Sequence, residues 1–483
     1  MKTRMGTRPC LLGIDLGTGS TKAVVLDQAG NQLGAGSTPV KLSEPRPGWV
    51  ESDPRDWWRS AVSAVKQALA AAQAPIGVIG LSGQMHGVVL SGPDGQALRP
   101  AMLSLDRRAQ EDLEAYRALP PEVVSVLGNP LVPGMAGPML HWLASHEPEI
   151  LRRATWALQP KDWLRLRLVG EAGSEPCDAS GTLLFDVGAN GWALPVVTGL
   201  GLPPSLLAPL GEASAVAGPL AEVPARELGL PAGTPVAFGA SDTAAALVGT
   251  SLSTVGHLQL TVGSAAQVVT LRHKPEPDPG RRYHVFAAAE PDLWYALAAV
   301  QVAGVALSWV LRTFCGTWEE AYRSLDAAPV GARGVLFVPH LAGARSPSMD
   351  SSATAAFSGL ELAHDRADVF RAVFEGVAFS IAEAAESLPE FEGASSVYLA
   401  GGGTLRVTWR QLLCDVLGKS LLVADDPNAS ARGAALLGGR AAGIPGGPGQ
   451  GVQWTKKVEP DPVAHKRLAA AFARWKAAAK AKS

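Results

Sequence analysis

The sequence predicts an α/β protein of two duplicated domains with a ligand cleft between them, and three observations carry that expectation. At 483 residues the chain exceeds the size at which a single hydrophobic core stops growing. Residues 13–27, GIDLGTGSTKAVVLD, read as a strand, a glycine-rich turn and a second strand. Residues 258–270, LQLTVGSAAQVVT, repeat that pattern roughly 240 positions later, as a duplication would if each half offered a turn to one ligand.

In the first hairpin, residues 11–15 enter, 16–20 turn and 21–27 leave, because 21–26 alternate and are β-branched. Asp15 thereby sits beside a turn of free backbone N–H groups, the chemistry of a metal-bound phosphate. Neither better-known phosphate motif fits. A P-loop would need glycine where Thr18 stands, a dinucleotide fingerprint starting at Gly17 would need glycine at Lys22, and both need a helix after the turn. An ordinary hairpin explains the turn residues but not an acid inside an apolar strand.

A helix over 56–72 follows, announced by Ser52-Asp53-Pro54, and a strand over 76–81 runs into Ser82-Gly83-Gln84-Met85-His86-Gly87. Residues 120–224 are irregular and proline-rich, an elaboration on the first core. A strand over 235–238 then delivers Asp242 to the start of an alanine-rich helix, where it stands either at a cleft edge or as a plain helix cap. Residues 293–311 are apolar enough to raise a membrane span, but Gln301, Gly304 and Ser308 interrupt them, and a buried strand turning into a buried helix fits better. Near the end, a strand over 396–400 meets Gly401-Gly402-Gly403 and a helix over 405–417, so the backbone can approach a flat ligand closely. A small-residue helix opens at Ser430, and the lysine-rich tail, 456–483, reads as a solvated terminal helix.

Composition narrows the partners. A net charge of −2 and a pI near 6.5 leave no electrostatic footprint for nucleic acid or an anionic membrane, which points to small molecules. Cys10, Cys177, Cys315 and Cys414 form no CxxC pair, so neither a zinc site nor a disulfide framework is expected and a reducing cytoplasm fits. The apolar run near the N-terminus is cut at Asp15, too early for a signal peptide. The oligomeric state stays open, a homodimer included.

With these residues on the page, the chain resembles the FGGY carbohydrate kinases from Leu11 to about Gly443. That family shares the ribonuclease H-like ATPase fold of actin and hexokinase. GQMHG (83–87), HEPEIL (146–151), PKDWLRLRLVGE (160–171) and CDASGTLLFDV (177–187) most resemble its xylulose-phosphorylating members. The resemblance implies ATP and Mg2+ as cofactors, phosphorylation of D-xylulose to D-xylulose 5-phosphate, an N-terminal domain over 1–246 and a C-terminal domain over 247–483. It implies that Asp15 holds magnesium, and that Thr18, Gly19, Ser20 and Lys22 form one phosphate hairpin with Gly263 and Ser264 in the other. Gly401 and Gly402 match the adenosine site. Gln84, Met85, His86, Asp106 and Thr243 match the sugar pocket, and Asp242 matches the catalytic base.

Four positions depart from the family pattern. Ser104 replaces a tryptophan, Thr243 an asparagine, Ala344 a glutamate, and Gly263-Ser264-Ala265-Ala266 a more flexible turn with one more hydroxyl. All four touch substrate or phosphate walls and none removes an acid, so another ketose such as ribulose, a polyol or gluconate stays in view as substrate. Trp142 and Trp163 are candidates to replace the ring missing at Ser104. A nucleotide or sugar binder without turnover is the reading from another class, and Asp242→Asn separates it from a kinase.

Overall fold

The computed structural model describes residues 8–252, 254–401, 403, 405–424, 427–444, 454 and 456–480. The first hairpin is β1 (Cys10–Leu16) and β2 (Ser20–Leu26), extended by β3 (Gln32–Pro39). β1 is buried along its whole length, which places it in the middle of a sheet rather than at an edge. Helix α1 (Pro54–Ala72) starts where the sequence announces it: Asp53 accepts the Arg55 N–H and Pro54 takes the first position, where no amide donor is needed. Its buried stripe, including Trp57, Ala61 and Ala64, covers one face of the sheet.

β4 (Ile76–Gly83) runs parallel to β1, with Asp15 level with Ser82 and Leu16 with Gly83. Helix α2 (Pro160–Val169) lies within the irregular insertion. β5 (Val216–Pro219) and β6 (Pro235–Ala237) complete the order β5-β6-β4-β1-β2-β3. A short strand, β7 (Ala240–Ser241), then pairs with the end of β4, placing Ala240 beside Ser82. Helix α3 (Asp242–Gly249) begins at the next residue. Asp15 and Asp242 therefore emerge at the carboxyl ends of two strands, β1 and β7, that both run parallel to β4, at the end where open α/β sheets bind ligands.

The second sheet repeats the plan. β8 (Leu258–Val262) and β9 (Ala266–Arg272) form its hairpin, flanked by β10 (His284–Ala287) and β11 (Trp294–Val300). Helix α4 (Gly304–Thr313) follows β11, so the apolar stretch is a buried strand and a helix, and no helix among the described residues is long and apolar enough to cross a membrane. After helix α5 (Arg366–Glu386), the strands β12 (Ser396–Ala400), β13 (Ser420–Val423) and β14 (Lys456–Val458) complete the order β10-β11-β9-β8-β12-β13-β14.

Helix α6 (Val407–Leu417) covers this second sheet, whereas α7 (Ala429–Ala441) lies against the first. The crossing demands glycine. A Cβ on Gly13 would collide with the Ala431 carbonyl, and one on Gly433 with the carbonyl of Ala245 in α3. The terminal helix α8 (Pro462–Lys480) differs from the solvated segment expected: Trp475 is fully buried and donates its indole N–H to Phe337 O at 2.7 Å. Lysines mark only its outer face, and its apolar stripe is a period of Leu468, Phe472 and Trp475 that the charge count obscured.

Candidate active site

Asp15 is buried, and the Ser82 hydroxyl donates to its Oδ1 at 2.7 Å. Burial raises its pKa above the usual carboxylate value, against the lowering pull of Ser82 and Lys22. The turn beyond it closes through Gly17 N–H to Ser20 O at 3.1 Å, and Thr18 Oγ1 donates to Gln84 Oε1 at 3.1 Å. Space beside Gly19 is open. Lys22, opposite Asp15 in the hairpin, donates to Pro427 O at 2.9 Å and so reaches the second lobe.

Asp242 is the first residue of α3, and Ser241 stands at the cap position without a side-chain capping hydrogen bond. Asp242 Oδ1 accepts the Thr243 N–H at 2.6 Å. Burial first, and the nearby Asp15 charge second, push its pKa up to about 7. The two acids thus share one cleft, with Asp15 close enough to oppose ionisation of Asp242. The Thr243 hydroxyl lies 3.2 Å from Asp242 Oδ1 and 3.0 Å from Gln267 Oε1, engaged between Asp242 and β9 rather than facing outward.

Gln84, Met85 and His86 continue from β4 along the cleft. His86 adopts φ +75°, held there by its N–H donating to Gln159 Oε1 at 2.8 Å. Its Nδ1 lies 2.7 Å from Gly181 O, so the proton resides on Nδ1 and Nε2 is left as an acceptor. Burial, reinforced by the Arg345 charge, drives the ring's pKa down to about 4, so His86 is a neutral hydrogen-bonding wall. Gln84 Nε2 is buried without a hydrogen-bond partner among the described residues. The hydroxyl of Tyr295, on β11, lies 3.5 Å from both Met85 Sδ and Ser241 Oγ, tying the second lobe to this wall.

Asp106 is 1% exposed, and its oxygens take the Arg108 guanidinium and the Val50 N–H at 2.7 Å. It braces the pocket wall. A cavity of about 90 Å3 lies beside it, lined by Ser104 and Ala344 among others, and neither Trp142 nor Trp163 reaches it. Trp142 instead packs edge-on to Trp49, and Trp163 to Trp57. The space at Ser104 is therefore not refilled by either ring.

Gly263 and Ser264 line a larger cavity of about 820 Å3 together with Lys22 from the first hairpin, Gly304, Trp309 and Trp318. Gly401 holds φ +99° and packs its backbone on Val262; Gly402 lies outside the described residues. Trp309, Trp318, Gln159 and Tyr295 escaped the sequence reading because their spacing is that of core residues. The break before Gly304 reads in the sequence only as a buried strand turning into a buried helix.

The donor set suits magnesium. Asp15 and Asp242 are two carboxylates in one cleft, and among the described residues no cluster of three or more His, Cys, Asp or Glu could hold a metal. An ion that binds through one or two carboxylates plus substrate phosphates matches that arrangement.

Residues 10–249 match the N-terminal domain, and 259–442 the C-terminal domain, of the FGGY family of carbohydrate kinases. The chain belongs to that family. This FGGY kinase is 30% identical over 440 residues to a xylulose kinase of Bacillus subtilis strain 168, covering 90% of this chain and 88% of that protein. A xylulose kinase of Escherichia coli K12 is 32% identical over 414 residues, 85% of each chain. Among solved structures, a xyloylose kinase from Brucella ovis superposes with a TM-score of 0.88 at 32% identity, over 98% of this chain and 99% of that one. The fold is accordingly a pair of actin/hexokinase-like ATPase domains, and the protein is a carbohydrate kinase.

Proposed function

We propose that this FGGY kinase transfers the γ-phosphoryl group of ATP to the terminal hydroxyl of D-xylulose, giving D-xylulose 5-phosphate and ADP. The observation that carries the reading is the pairing of Asp15 and Asp242 across one cleft, with Asp242 at a pKa of about 7. A sugar hydroxyl is a weak nucleophile, and a base poised near neutrality accepts its proton as the phosphoryl group arrives, contributing roughly 10² to 10⁴ in rate. The likeness to xylulose kinases over most of the chain supports the choice of sugar.

In this mechanism His86 Nε2 accepts from one sugar hydroxyl and Gln84 Nε2 donates to another oxygen. Thr18, Gly19, Ser20 and Lys22 meet the ATP phosphates from one side, Gly263 and Ser264 from the other, with Gly401 under the adenosine. Asp15, steadied by Ser82, would hold Mg2+, which when bound neutralises charge on the phosphates. Thr243 orients the base. The division between the lobes falls between α3 and β8, because a boundary after residue 246 would cut α3. ADP release by the purified enzyme across ketoses, polyols and sugar acids tests the substrate: D-xylulose is expected to have the highest kcat/KM, and a better substrate elsewhere in the panel refutes the choice.

A further inference from the structure

Gln159 stands at the cap position of α2, with Pro160 as the first residue of the helix, yet its side chain makes no capping hydrogen bond. Glutamine is not a favoured cap, and Gln159 is only 4% exposed, so a long polar amide is buried there for another purpose. Each end of the amide is engaged away from its own helix. Oε1 accepts the His86 N–H at 2.8 Å, and Nε2 donates to the backbone oxygen of Asp178. One side chain therefore joins the turn that follows β4 to the insertion.

The insertion end of this link is firmly built. Asp178 lies in the short helix Pro176–Ala179, where Glu175 accepts the N–H groups of Cys177 at 2.7 Å and of Asp178 at 3.0 Å. Lys161, fully buried two residues beyond Gln159, pairs with Asp162 at 2.6 Å and with Asp178 at 3.3 Å. The other end is strained. His86 holds φ +75°, a left-handed conformation that a side chain other than glycine keeps only where its surroundings enforce it. Two hydrogen bonds enforce it here: the N–H to Gln159, and Nδ1 to Gly181 O at 2.7 Å. The ring comes so close to Gly181 that a Cβ there would lie 2.9 Å from His86 Nδ1. The position of the remaining ring nitrogen, Nε2, follows from these two bonds, and Gln159 supplies the one that holds the backbone.

We propose that Gln159 is a positioning residue for sugar binding, which sets the backbone of His86 and thereby places Nε2 against a substrate hydroxyl without touching the substrate itself. A leucine would fill much the same volume and offer neither contact, so His86 could relax out of its left-handed conformation and swing its ring from Gly181. The inference rests on His86 as a sugar contact in the proposed function.

The test is ADP-release kinetics with D-xylulose and ATP varied separately, in the parent, Gln159→Leu, His86→Ala and the double variant. Gln159→Leu is expected to raise KM for D-xylulose about tenfold and to leave KM for ATP within about twofold. In the His86→Ala background it should add nothing, because its effect passes through that ring. An unchanged KM for D-xylulose, a parallel rise in both KM values, or full additivity in the double variant overturns the proposal. NMR of the histidine ring nitrogens reads the positioning directly. The parent should show His86 as the Nδ1–H tautomer at neutral pH and Gln159→Leu a mixture of both tautomers, and a single retained tautomer overturns the role. If Gln159→Leu does not fold, Gln159→Glu has the same shape, keeps the acceptor for the His86 N–H and loses the donor to Asp178; it should raise KM for D-xylulose about threefold, under the same overturning outcomes. If the parent releases no ADP with D-xylulose, the substrate reading fails by itself and the NMR comparison decides the role of Gln159. If His86→Ala leaves KM for an active sugar unchanged, the positioning role in sugar binding falls with the contact.

Discussion

The two phosphate hairpins have one architecture and different chemistry. In the first, Asp15 and Lys22 face each other two residues before and five after Gly17; at the matching register of the second stand Thr261 and Gln267. The parallel neighbour repeats the contrast, with Ser82 beside Asp15 and Ala400 beside Thr261. The first hairpin thus carries a charged pair and a hydroxyl that steadies it, and the second a neutral pair. Yet each reaches across the cleft from its second strand: Lys22 to Pro427 O at 2.9 Å, and Gln267 to the Thr243 hydroxyl at 3.0 Å. Duplication preserved the turn and the cross-lobe reach, while the charge that can hold a metal stayed on one side.

The largest expected effect breaks the acid pair from the side of the base. Asp242→Asn should lower kcat by about 10² or more while ATP still binds, measured by steady-state kinetics and nucleotide titration. The same substitution should raise stability at pH 8. A carboxyl whose folded pKa of about 7 exceeds its unfolded value favours folding fully below pH 4 and loses that contribution as pH rises to 7. The asparagine has no such pH-dependent loss, so the Tm of the variant should exceed that of the parent at pH 8 and approach it at pH 4.

Asp15→Asn addresses the hairpin asymmetry itself. A drop of about tenfold to a hundredfold in kcat/KM for ATP, with weakened dependence on Mg2+, is expected, and an unchanged Mg2+ titration argues against the metal role. In the parent, activity should fall about tenfold per pH unit below 7, as Asp242 protonates, and the pH–rate profile of kcat/KM measures it. Ser264→Ala, in the neutral hairpin, should raise KM for ATP only by about threefold, the loss of one neutral hydrogen bond. Gln267→Leu is the smallest case. It frees the Thr243 hydroxyl from the second lobe and should cost about 1 kcal/mol in denaturant unfolding, with kcat reduced less than in any acid variant.

Much of this was legible before any coordinates. Asp15 stands out because a carboxylate inside an apolar strand is anomalous against local pattern alone, whereas Asp242 reads equally well as a plain helix cap until the family resemblance singles it out. The hairpins, α1 with its Asp53 cap and the strand-to-helix change after Val300 are local events that propensity and turn chemistry determine. Asp106 read as a sugar contact, whereas its oxygens are taken by Arg108 and Val50; nothing in its spacing distinguishes a wall brace from a ligand contact. Thr243 likewise faces Gln267, a partner 24 positions away.

By itself the sequence determined the duplicated α/β plan, since glycine turns and apolar strands are written residue by residue, and its resemblance to the FGGY kinases supplied the chemistry expected of Asp15 and Asp242. Only the tertiary structure decided that the Asp15 charge opposes ionisation of Asp242, and that Tyr295 reaches Met85 and Ser241 from the other lobe. Those properties depend on burial and on distance between residues far apart in the chain, and electrostatic cost in a low-dielectric cleft has no sequence period through which it could have been read.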